Sequence, residues 1–236
     1  MHKFNIIAGP CSVESYEQME EVFKNIEEEY IRAGVFKPRT NPESFQGLKE
    51  EGIKILEKLK KKYNKKIVCE ITSIDQIPLF DSVDIIQIGA RNMQNFELLK
   101  KVGSLGKPVL LKRGFGNTID ELISSAKYIE ASGNNSIILC ERGIRTFNQE
   151  MRFTLDLSAV LLLKEKTNYK IYVDPSHAAG KSKYVIPLAK AAKAIGADGI
   201  IVEVHPYPKK ALSDSEQQLT FSQYYQLKEE LKNVEN

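Results

Sequence analysis

The sequence predicts an α/β protein, a closed (β/α)8 TIM barrel formed by a single domain over residues 1–236. Eight short runs rich in Ile and Val alternate with amphipathic stretches of helical length. The chain is also close to the roughly 250 residues that such a barrel typically needs, and no linker interrupts the alternation. An open doubly wound sheet is the rival fold. It would leave polar edge strands, which the middle runs do not provide.

The spacing of apolar residues gives the elements in chain order. The predicted strands are residues 4–8, 34–39, 66–71, 83–88, 108–112, 136–141, 170–174 and 199–204. In the first predicted helix, residues 15–30, Met19, Val22, Phe23 and Ile26 recur at helical spacing. The other predicted helices are residues 44–63, 118–131, 155–166, 183–195 and 220–234, with shorter ones at 73–80 and 92–102.

Composition and charge argue against membranes and nucleic acids as partners. The longest apolar run, residues 159–163, is far shorter than the roughly 18 residues of a membrane span. The net charge is only +3, and the lysine-rich run 58–66 lies at the end of a predicted helix, where cations stay solvated. Three cysteines are too few for a disulfide framework and the N-terminus does not resemble a signal peptide, so we expect a cytoplasmic protein.

Polar or reactive residues stand at the carboxyl end of every predicted strand. In chain order they are Cys11, Lys37, Arg39, Glu70, Gln87, Arg91, Lys112, Arg113, Glu141, Arg142, Asp174, His177 and Glu203. In a closed barrel these ends meet at one face, where barrel enzymes place their chemistry. Packing alone does not explain the set, because burying unpaired charges is costly. The sequence therefore predicts an active site on this face.

The basic residues near the strand ends predict the charge of the ligand. They are Arg32, Lys37, Arg39, Arg91, Lys112, Arg113, Arg142 and Arg145. Arginine forks and lysine ammonium groups suit the oxygens of phosphate and carboxylate. We therefore expect a small polyanionic substrate that carries more than one phosphate.

A second set, Cys11, His177, Glu203 and Asp214, combines soft and hard metal ligands. Thiolate, imidazole and carboxylate groups together can hold a divalent transition metal such as Mn, Fe, Zn or Co. Cys11, His177 and Glu203 follow the first, seventh and eighth predicted strands, and the first and eighth are neighbours only if the barrel closes. For Cys11 alone, a small buried apolar role is the open alternative.

Short motifs give the chain a family resemblance. The most specific is Lys37-Pro38-Arg39-Thr40, and others lie at residues 8–14, 88–92, 111–114, 141–146, 174–177, 203–206 and 211–214. With these motifs the chain resembles the 3-deoxy-arabino-heptulosonate 7-phosphate (DAHP) synthases in their short type I-beta form. The likeness runs nearly end to end, and the fold that it implies is the (β/α)8 barrel.

The resemblance implies a metal-dependent, aldol-like condensation of phosphoenolpyruvate with erythrose 4-phosphate and water, which opens the shikimate pathway. The implied metal ligands are Cys11, His177, Glu203 and Asp214. The implied substrate-binding residues are Arg32, Lys37, Arg39, Thr40, Gln87, Ala90, Arg91, Lys112, Arg142 and Arg145, with Arg39 and Thr40 on the aldose phosphate. Lys37 would donate a proton, and Asp174 and Glu70 would align the attacking water.

The sibling 3-deoxy-manno-octulosonate 8-phosphate synthases, which use arabinose 5-phosphate, are the alternative. They carry a Lys-Ala-Asn-Arg-Ser type segment where this chain has residues 37–40, and this difference favours the shorter aldose. A phosphosugar-binding barrel without catalysis is a third reading. The resemblance also implies a homotetramer. Because the first predicted strand begins at residue 4, we expect no separate regulatory domain and no inhibition by phenylalanine or tyrosine.

Overall fold

The structure is a computed structural model that describes residues 4–38, 41 and 43–235. Within these residues eight parallel strands pair in chain order, and the eighth also pairs with the first, so the sheet closes. The strands are β1 Asn5–Gly9, β2 Tyr30–Arg32, β3 Lys66–Ile71, β4 Ile85–Ile88, β5 Val109–Lys112, β6 Ile137–Glu141, β7 Lys170–Val173 and β8 Gly199–Glu203. The predicted closed (β/α)8 barrel is confirmed.

Helices surround the barrel, and side-chain caps begin several of them. They are α1 Tyr16–Asn25, α2 Lys49–Tyr63, α3 Phe96–Gly103, α4 Ile119–Glu130, α5 Ser158–Lys166, α6 Pro175–Ala179, α7 Val185–Ala194 and α8 Phe221–Lys232. Short 3-10 helices lie at Ile74–Leu79, Ala90–Asn92, Ser182–Tyr184 and Pro208–Lys210. The Ser15 hydroxyl accepts a hydrogen bond from Gln18 N, and Thr118 and Thr220 form capping boxes that begin α4 and α8.

Side chains at alternate strand positions build two apolar layers. One layer lies between the strands and the helices and includes Ala8, Ile86 and Val202. The other fills the inside of the barrel and comprises Ile7, Val68, Ile85, Leu110, Cys140, Tyr172 and Ile201. This inner cluster forms an apolar floor inside the barrel, and the side chains at the carboxyl ends of the strands lie directly above it.

The predicted second strand, residues 34–39, is wrong. The strand is Tyr30–Arg32, which begins at the last residue of the segment predicted as the first helix. That helix ends early because Ile26 is already extended (φ −83°, ψ 119°), and the chain then turns into the sheet. Beyond β2, among the described residues up to position 38, Gly34 alone forms an isolated bridge. Lys37 therefore lies in the loop after β2 rather than in a strand.

The lysine-rich run 58–66 ends α2 and begins β3, and four of its cations, Lys60, Lys61, Lys62 and Lys66, have carboxylate partners. Lys60 pairs with Asp84 at 2.7 Å, and Lys62 pairs with Glu20 at 2.5 Å. The three cysteines of the sequence, all within the described residues, are free and buried. In the described part of the chain, no helix has the length and apolar character needed to span a bilayer.

Candidate active site

One layer of polar residues crosses the barrel above the apolar floor. On each strand it stands two residues beyond the floor, because strand side chains alternate between faces. Its members are Gly9, Arg32, Glu70, Gln87, Lys112, Arg142, Asp174 and Glu203. All of these positions except Gly9 are site residues predicted from the sequence, and the structure brings them together.

The four residues expected to hold a metal converge at the edge of this layer. One ligand atom from each of Cys11, Glu203 and Asp214 lies within 4.8 Å of the others. Cys11 Sγ is 3.4 Å from Asp214 Oδ2. His177 Nε2 adjoins the group, 3.4 Å from Glu203 Oε1 and 3.8 Å from Asp214 Oδ2. Closure explains the meeting, because Gly9 in β1 pairs in register with Glu203 in β8.

Hydrogen bonds hold the loop after β8 against Cys11, and they place Asp214 beside the cluster. Gln218 Oε1 accepts a hydrogen bond of 3.0 Å from Cys11 N, and Gln218 Nε2 donates to Ser213 O at 2.8 Å. Asp214 follows with a left-handed backbone (φ 47°), which Asp tolerates better than most residues. The side chain is thereby turned towards the cluster.

Asp174 fixes the orientation of the His177 imidazole. Its Nδ1 lies 2.7 Å from Asp174 Oδ2, and its backbone N–H donates to Asp174 Oδ1 at 2.9 Å. Asp174 also pairs with Lys112. Burial lowers the pKa of His177 below its ordinary value, against the opposing charge of Asp174. A neutral ring that donates from Nδ1 leaves the lone pair of Nε2 for a metal.

A buried acceptor without a donor supports a cation at this point. Glu203 Oε1 accepts no hydrogen bond from any residue that the structure describes. Arg32 Nη1 lies 3.2 Å away as an ion-pair partner without hydrogen-bond geometry. A buried acceptor left without a donor costs free energy. Glu203, His177 and Asp214 thus direct electron pairs to one point, and together with the Cys11 thiol they suit a divalent transition metal.

Lys37 joins the cluster to the open cavity. Its Nζ donates to Cys11 Sγ at 3.0 Å and to Cys11 O at 3.2 Å. Burial by itself lowers the pKa of Lys37, but the acidic groups around it, first Cys11 and then Glu70, outweigh burial and hold that pKa above its usual range. Burial, with the charge of Glu203, also raises the pKa of Cys11 to about 12. A cation would therefore have to displace the thiol proton on binding.

A cavity of about 270 Å³ opens directly beside the cluster. Among the described residues, its lining includes the cationic side chains Lys37, Arg91, Arg142, Arg145 and Arg152 and the carboxylates Glu70 and Asp214. His177 also lines it, whereas the predicted site residues Cys11, Arg32, Gln87, Lys112, Asp174 and Glu203 are buried behind its wall. The excess of cations matches the predicted polyanionic ligand.

Two aromatic rings support the guanidinium groups of this cavity. Phe115 and Phe153 stack with centroids 5.1 Å apart, and Arg142 Cζ lies 4.8 Å and 4.1 Å from them. Arg91 and Arg145 also lie over Phe115, at 5.5 Å and 5.4 Å. Burial lowers the pKa of Arg142 to about 10, and its Nη1 has no hydrogen-bond partner in the described chain. A buried donor of this kind suits a bound anion.

Arg113 is not available to a ligand, which corrects the expectation that it contributes to an anion site. Its Nη1 lies 3.0 Å from Glu141 Oε2 and 2.8 Å from Asp156 Oδ2. Its Nε donates to Asn117 O at 2.9 Å. These internal acceptors engage the guanidinium, so Arg113 is part of the scaffold below the loop after β6.

The remaining predicted site residues have varied surroundings. Gln87 Nε2 donates to Glu70 Oε2 at 3.1 Å, which holds the carboxylate at the cavity wall. Ala90 begins the 3-10 helix after β4, next to Arg91 and away from the cavity lining. Arg39 and Thr40 lie outside the described residues.

A model of the DAHP synthetase I family matches residues 2–236. The chain belongs to the DAHP synthetase I family.

The proteins similar to this chain include a deoxyheptonate aldolase and a deoxyphosphooctonate aldolase. Phospho-2-dehydro-3-deoxyheptonate aldolase of Thermotoga maritima is 53% identical over 235 residues, which are 98% of this chain and 70% of that protein. A crystal structure of this Thermotoga DAHP synthase has a TM-score of 0.95, 53% identity, and coverage of 98% of this chain and 69% of that one. The 2-dehydro-3-deoxyphosphooctonate aldolase of Fusobacterium nucleatum is 35% identical over 234 residues, 90% of this chain and 83% of that protein. The chain is thus an enzyme of the DAHP synthase type, in aromatic biosynthesis.

Sequence reasoning missed four residues of this DAHP synthetase I site. Phe115 and Phe153 support the arginines, and Arg152 lines the cavity. Gln217 contacts both carboxylates of the cluster. Gln217 stands three residues after Asp214, a local spacing that could have drawn attention to it. Phe153 and Arg152 lie in the loop after β6, where hydrophobic periodicity carries no signal.

Proposed function

We propose that this chain condenses phosphoenolpyruvate with erythrose 4-phosphate and water to give DAHP and phosphate, and that the reaction depends on a divalent metal. One juxtaposition carries the proposal: the cluster of Cys11, His177, Glu203 and Asp214 adjoins a cavity rich in guanidinium groups. A site that suits a Lewis-acidic cation thus borders a site that suits phosphate and carboxylate oxygens.

In this proposal the four cluster residues hold the cation, and its identity among Mn, Fe, Zn and Co stays open. A bound divalent metal supplies Lewis-acid polarisation of the aldehyde oxygen. Asp174 contributes as a positioning residue, because its oxygens already contact Lys112 and the ring and backbone of His177. Its work is to hold His177 rather than to bind water.

Phosphoenolpyruvate would lie against the arginines of the cavity. Arg142 is central, because its Nη1 is buried and lacks a partner in the described chain. Arg91 and Arg145 also lie within 5.5 Å of the centre of the Phe115 ring, so three planar forks are available to one anion. Lys112 adds a buried ammonium behind the wall. Fixing phosphoenolpyruvate in the cavity removes part of the entropic barrier to its reaction with the aldose.

Lys37 is the proposed proton donor to the aldehyde oxygen. The new bond joins the methylene carbon of phosphoenolpyruvate to the aldehyde carbon, and the aldehyde oxygen becomes a hydroxyl. Lys37 stays protonated because of its acidic neighbours, and it lines the cavity beside the cluster. Glu70, held by Gln87, aligns the water that adds to carbon 2 of phosphoenolpyruvate. The proton that this water loses restores Lys37, and the bond from carbon 2 to the phosphate oxygen then breaks to release phosphate.

Synthesis of the octulosonate from arabinose 5-phosphate is the second candidate. The 35% identity to the Fusobacterium protein favours it less than the 53% identity to the Thermotoga protein favours the shorter aldose. The motif at Arg39 and Thr40 supports the same choice from the sequence, although both residues lie outside the described part of the chain.

Phosphate release from phosphoenolpyruvate tests the proposal. The protein is stripped with a chelator, reloaded in turn with Mn²⁺, Fe²⁺, Zn²⁺ or Co²⁺, and offered each aldose separately. We expect metal-dependent release, with kcat/KM for erythrose 4-phosphate at least about 10-fold above that for arabinose 5-phosphate. Full activity in the chelator would contradict the metal role, and a preference for the five-carbon aldose would contradict the substrate.

A further inference from the structure

Gln217 is a buried amide that contacts both carboxylates of the cluster. Its Nε2 donates to Glu203 Oε2 at 2.5 Å and lies 3.4 Å from Asp214 Oδ2. Its Oε1 accepts a hydrogen bond of 2.7 Å from Arg152 Nη1. Gln217 is neither one of the four proposed ligands nor part of the cavity lining, so the proposed reaction gives it no role.

Arg152 contacts the other oxygen of the Asp214 carboxylate. Its Nη1 lies 3.4 Å from Asp214 Oδ1. The backbone there is fixed to α6, because Phe153 N donates to Ala178 O at 3.0 Å. A Cβ at Gly180 would lie 2.6 Å from Arg152 Cβ, so the close approach requires glycine, which also adopts φ 69°. The guanidinium is thus placed by the same short helix that carries His177.

These contacts hold the outer oxygen of each carboxylate, and the other oxygen faces the cluster. Glu203 Oε2 is tied to Gln217, while Glu203 Oε1 accepts no hydrogen bond in the described chain and faces His177 Nε2. Asp214 Oδ1 is held by Arg152, while Asp214 Oδ2 faces Cys11 Sγ and is also 3.4 Å from Gln217 Nε2. Each carboxylate is held as a ligand that would offer a single oxygen.

We propose that Gln217 and Arg152 are positioning residues, which hold Glu203 and Asp214 in the orientation that binds the shared cation. The inference rests on the proposed metal role of the cluster. Two carboxylates that face one point repel each other when no cation is present. A neutral amide that donates to both, backed by a guanidinium on the outer oxygen, offsets that repulsion and prevents rotation of the side chains.

Metal binding without substrate tests the inference. Gln217→Leu keeps the approximate size and removes both hydrogen bonds, Arg152→Met removes the charge, and Arg152→Lys keeps it. Gln226→Leu, on the exposed face of α8, is the matched control. For each protein, calorimetry gives the Co²⁺ dissociation constant, absorption spectroscopy reports the Co²⁺ coordination, and thermal unfolding is followed with and without Co²⁺.

We expect Gln217→Leu to weaken Co²⁺ binding about 10- to 100-fold, to alter the Co²⁺ spectrum and to reduce the metal-induced rise in melting temperature. Arg152→Met should have a smaller effect of the same kind, which Arg152→Lys largely reverses, and Gln226→Leu should match the unaltered chain.

Unchanged Co²⁺ affinity and spectrum in both Gln217→Leu and Arg152→Met would overturn the inference. Because Arg152 is partly exposed, its two variants decide the matter even if Gln217→Leu does not fold. If the unaltered chain binds no Co²⁺, it is the proposed metal role that fails.

Discussion

Asp174 Oδ2 lies 2.7 Å from His177 Nδ1, so one buried carboxylate sets which nitrogen of the imidazole faces the cluster. The same carboxylate pairs with Lys112. Two functions proposed for the site, a metal ligand and an anion-binding ammonium, therefore share one support. Loss of that support should affect both.

Asp174→Asn keeps the shape and removes the charge that orients His177. We expect metal affinity to fall about 10- to 100-fold, because the ring loses its fixed tautomer and part of its basicity. The KM for phosphoenolpyruvate should fall, because the substitution also removes the negative charge that is paired with the Lys112 ammonium. Calorimetric titration and steady-state kinetics measure the two effects. Asp120→Asn, at an exposed ion pair with Lys166, is the control, and equal metal affinity in both variants would contradict the assignment.

Cys11→Ala removes the only sulfur of the cluster. We expect metal-dependent phosphate release to disappear, because the remaining imidazole and carboxylates bind a transition metal more weakly than a set with thiolate. The free energy of unfolding of the metal-free protein should fall by only about 1 kcal/mol. Cys69→Ala, at another buried cysteine, should cost similar stability and keep activity. Native activity of Cys11→Ala would exclude the thiol as a ligand.

Arg142→Lys tests the unpartnered guanidinium of the cavity. Because Arg142 Nη1 has no acceptor in the described chain, stability should change little when the fork is lost. A lysine cannot make two parallel hydrogen bonds to one anion, so we expect KM for phosphoenolpyruvate to rise at least about 10-fold. Steady-state kinetics at saturating aldose supply the measurement, and an unchanged KM would remove Arg142 from the binding site.

In contrast to Arg142→Lys, Arg113→Met should greatly reduce the free energy of unfolding. The substitution leaves Glu141 buried without its cation, at a cost of about 3–5 kcal/mol. Burial already holds the pKa of Glu141 above its ordinary value, against the opposing charge of Arg113. Without Arg113 that pKa rises further, so the folded state favours the protonated acid.

When the pKa of a carboxyl group is higher in the folded state than in the unfolded state, the free energy of unfolding of the protein decreases as the pH rises through the folded-state pKa. The deficit of Arg113→Met relative to the unaltered protein should therefore shrink as the pH falls from about 8 to about 5. Urea unfolding across this range measures it. A deficit that is independent of pH would show that Glu141 is not the group left unpaired.

The contacts at the strand ends were in part predictable from the sequence. Glu203 and Cys11 are 192 positions apart in the chain, yet their proximity was expected once eight alternating units implied closure. Lys37 was also expected at the site, although the strand assigned to it was wrong. The loop that carries Lys37 is held against the barrel by the hydrogen bond from Lys37 Nζ to Cys11 Sγ, and no local sequence pattern predicts this contact.

The sequence by itself determined the barrel, the family and the ring of polar residues at the strand ends, because hydrophobic alternation and short motifs are local properties. The tertiary structure alone decided which of those charges are free. Arg113 and Arg142 have the same predicted role, that of binding an anionic ligand. In the structure, Arg113 pairs with Glu141 and Asp156. Arg142 instead lies against Phe115 and Phe153, and its buried Nη1 has no hydrogen-bond partner in the described chain. The physical reason is that an ion pair depends on where side chains from different loops meet, and the packing of those loops sets that position.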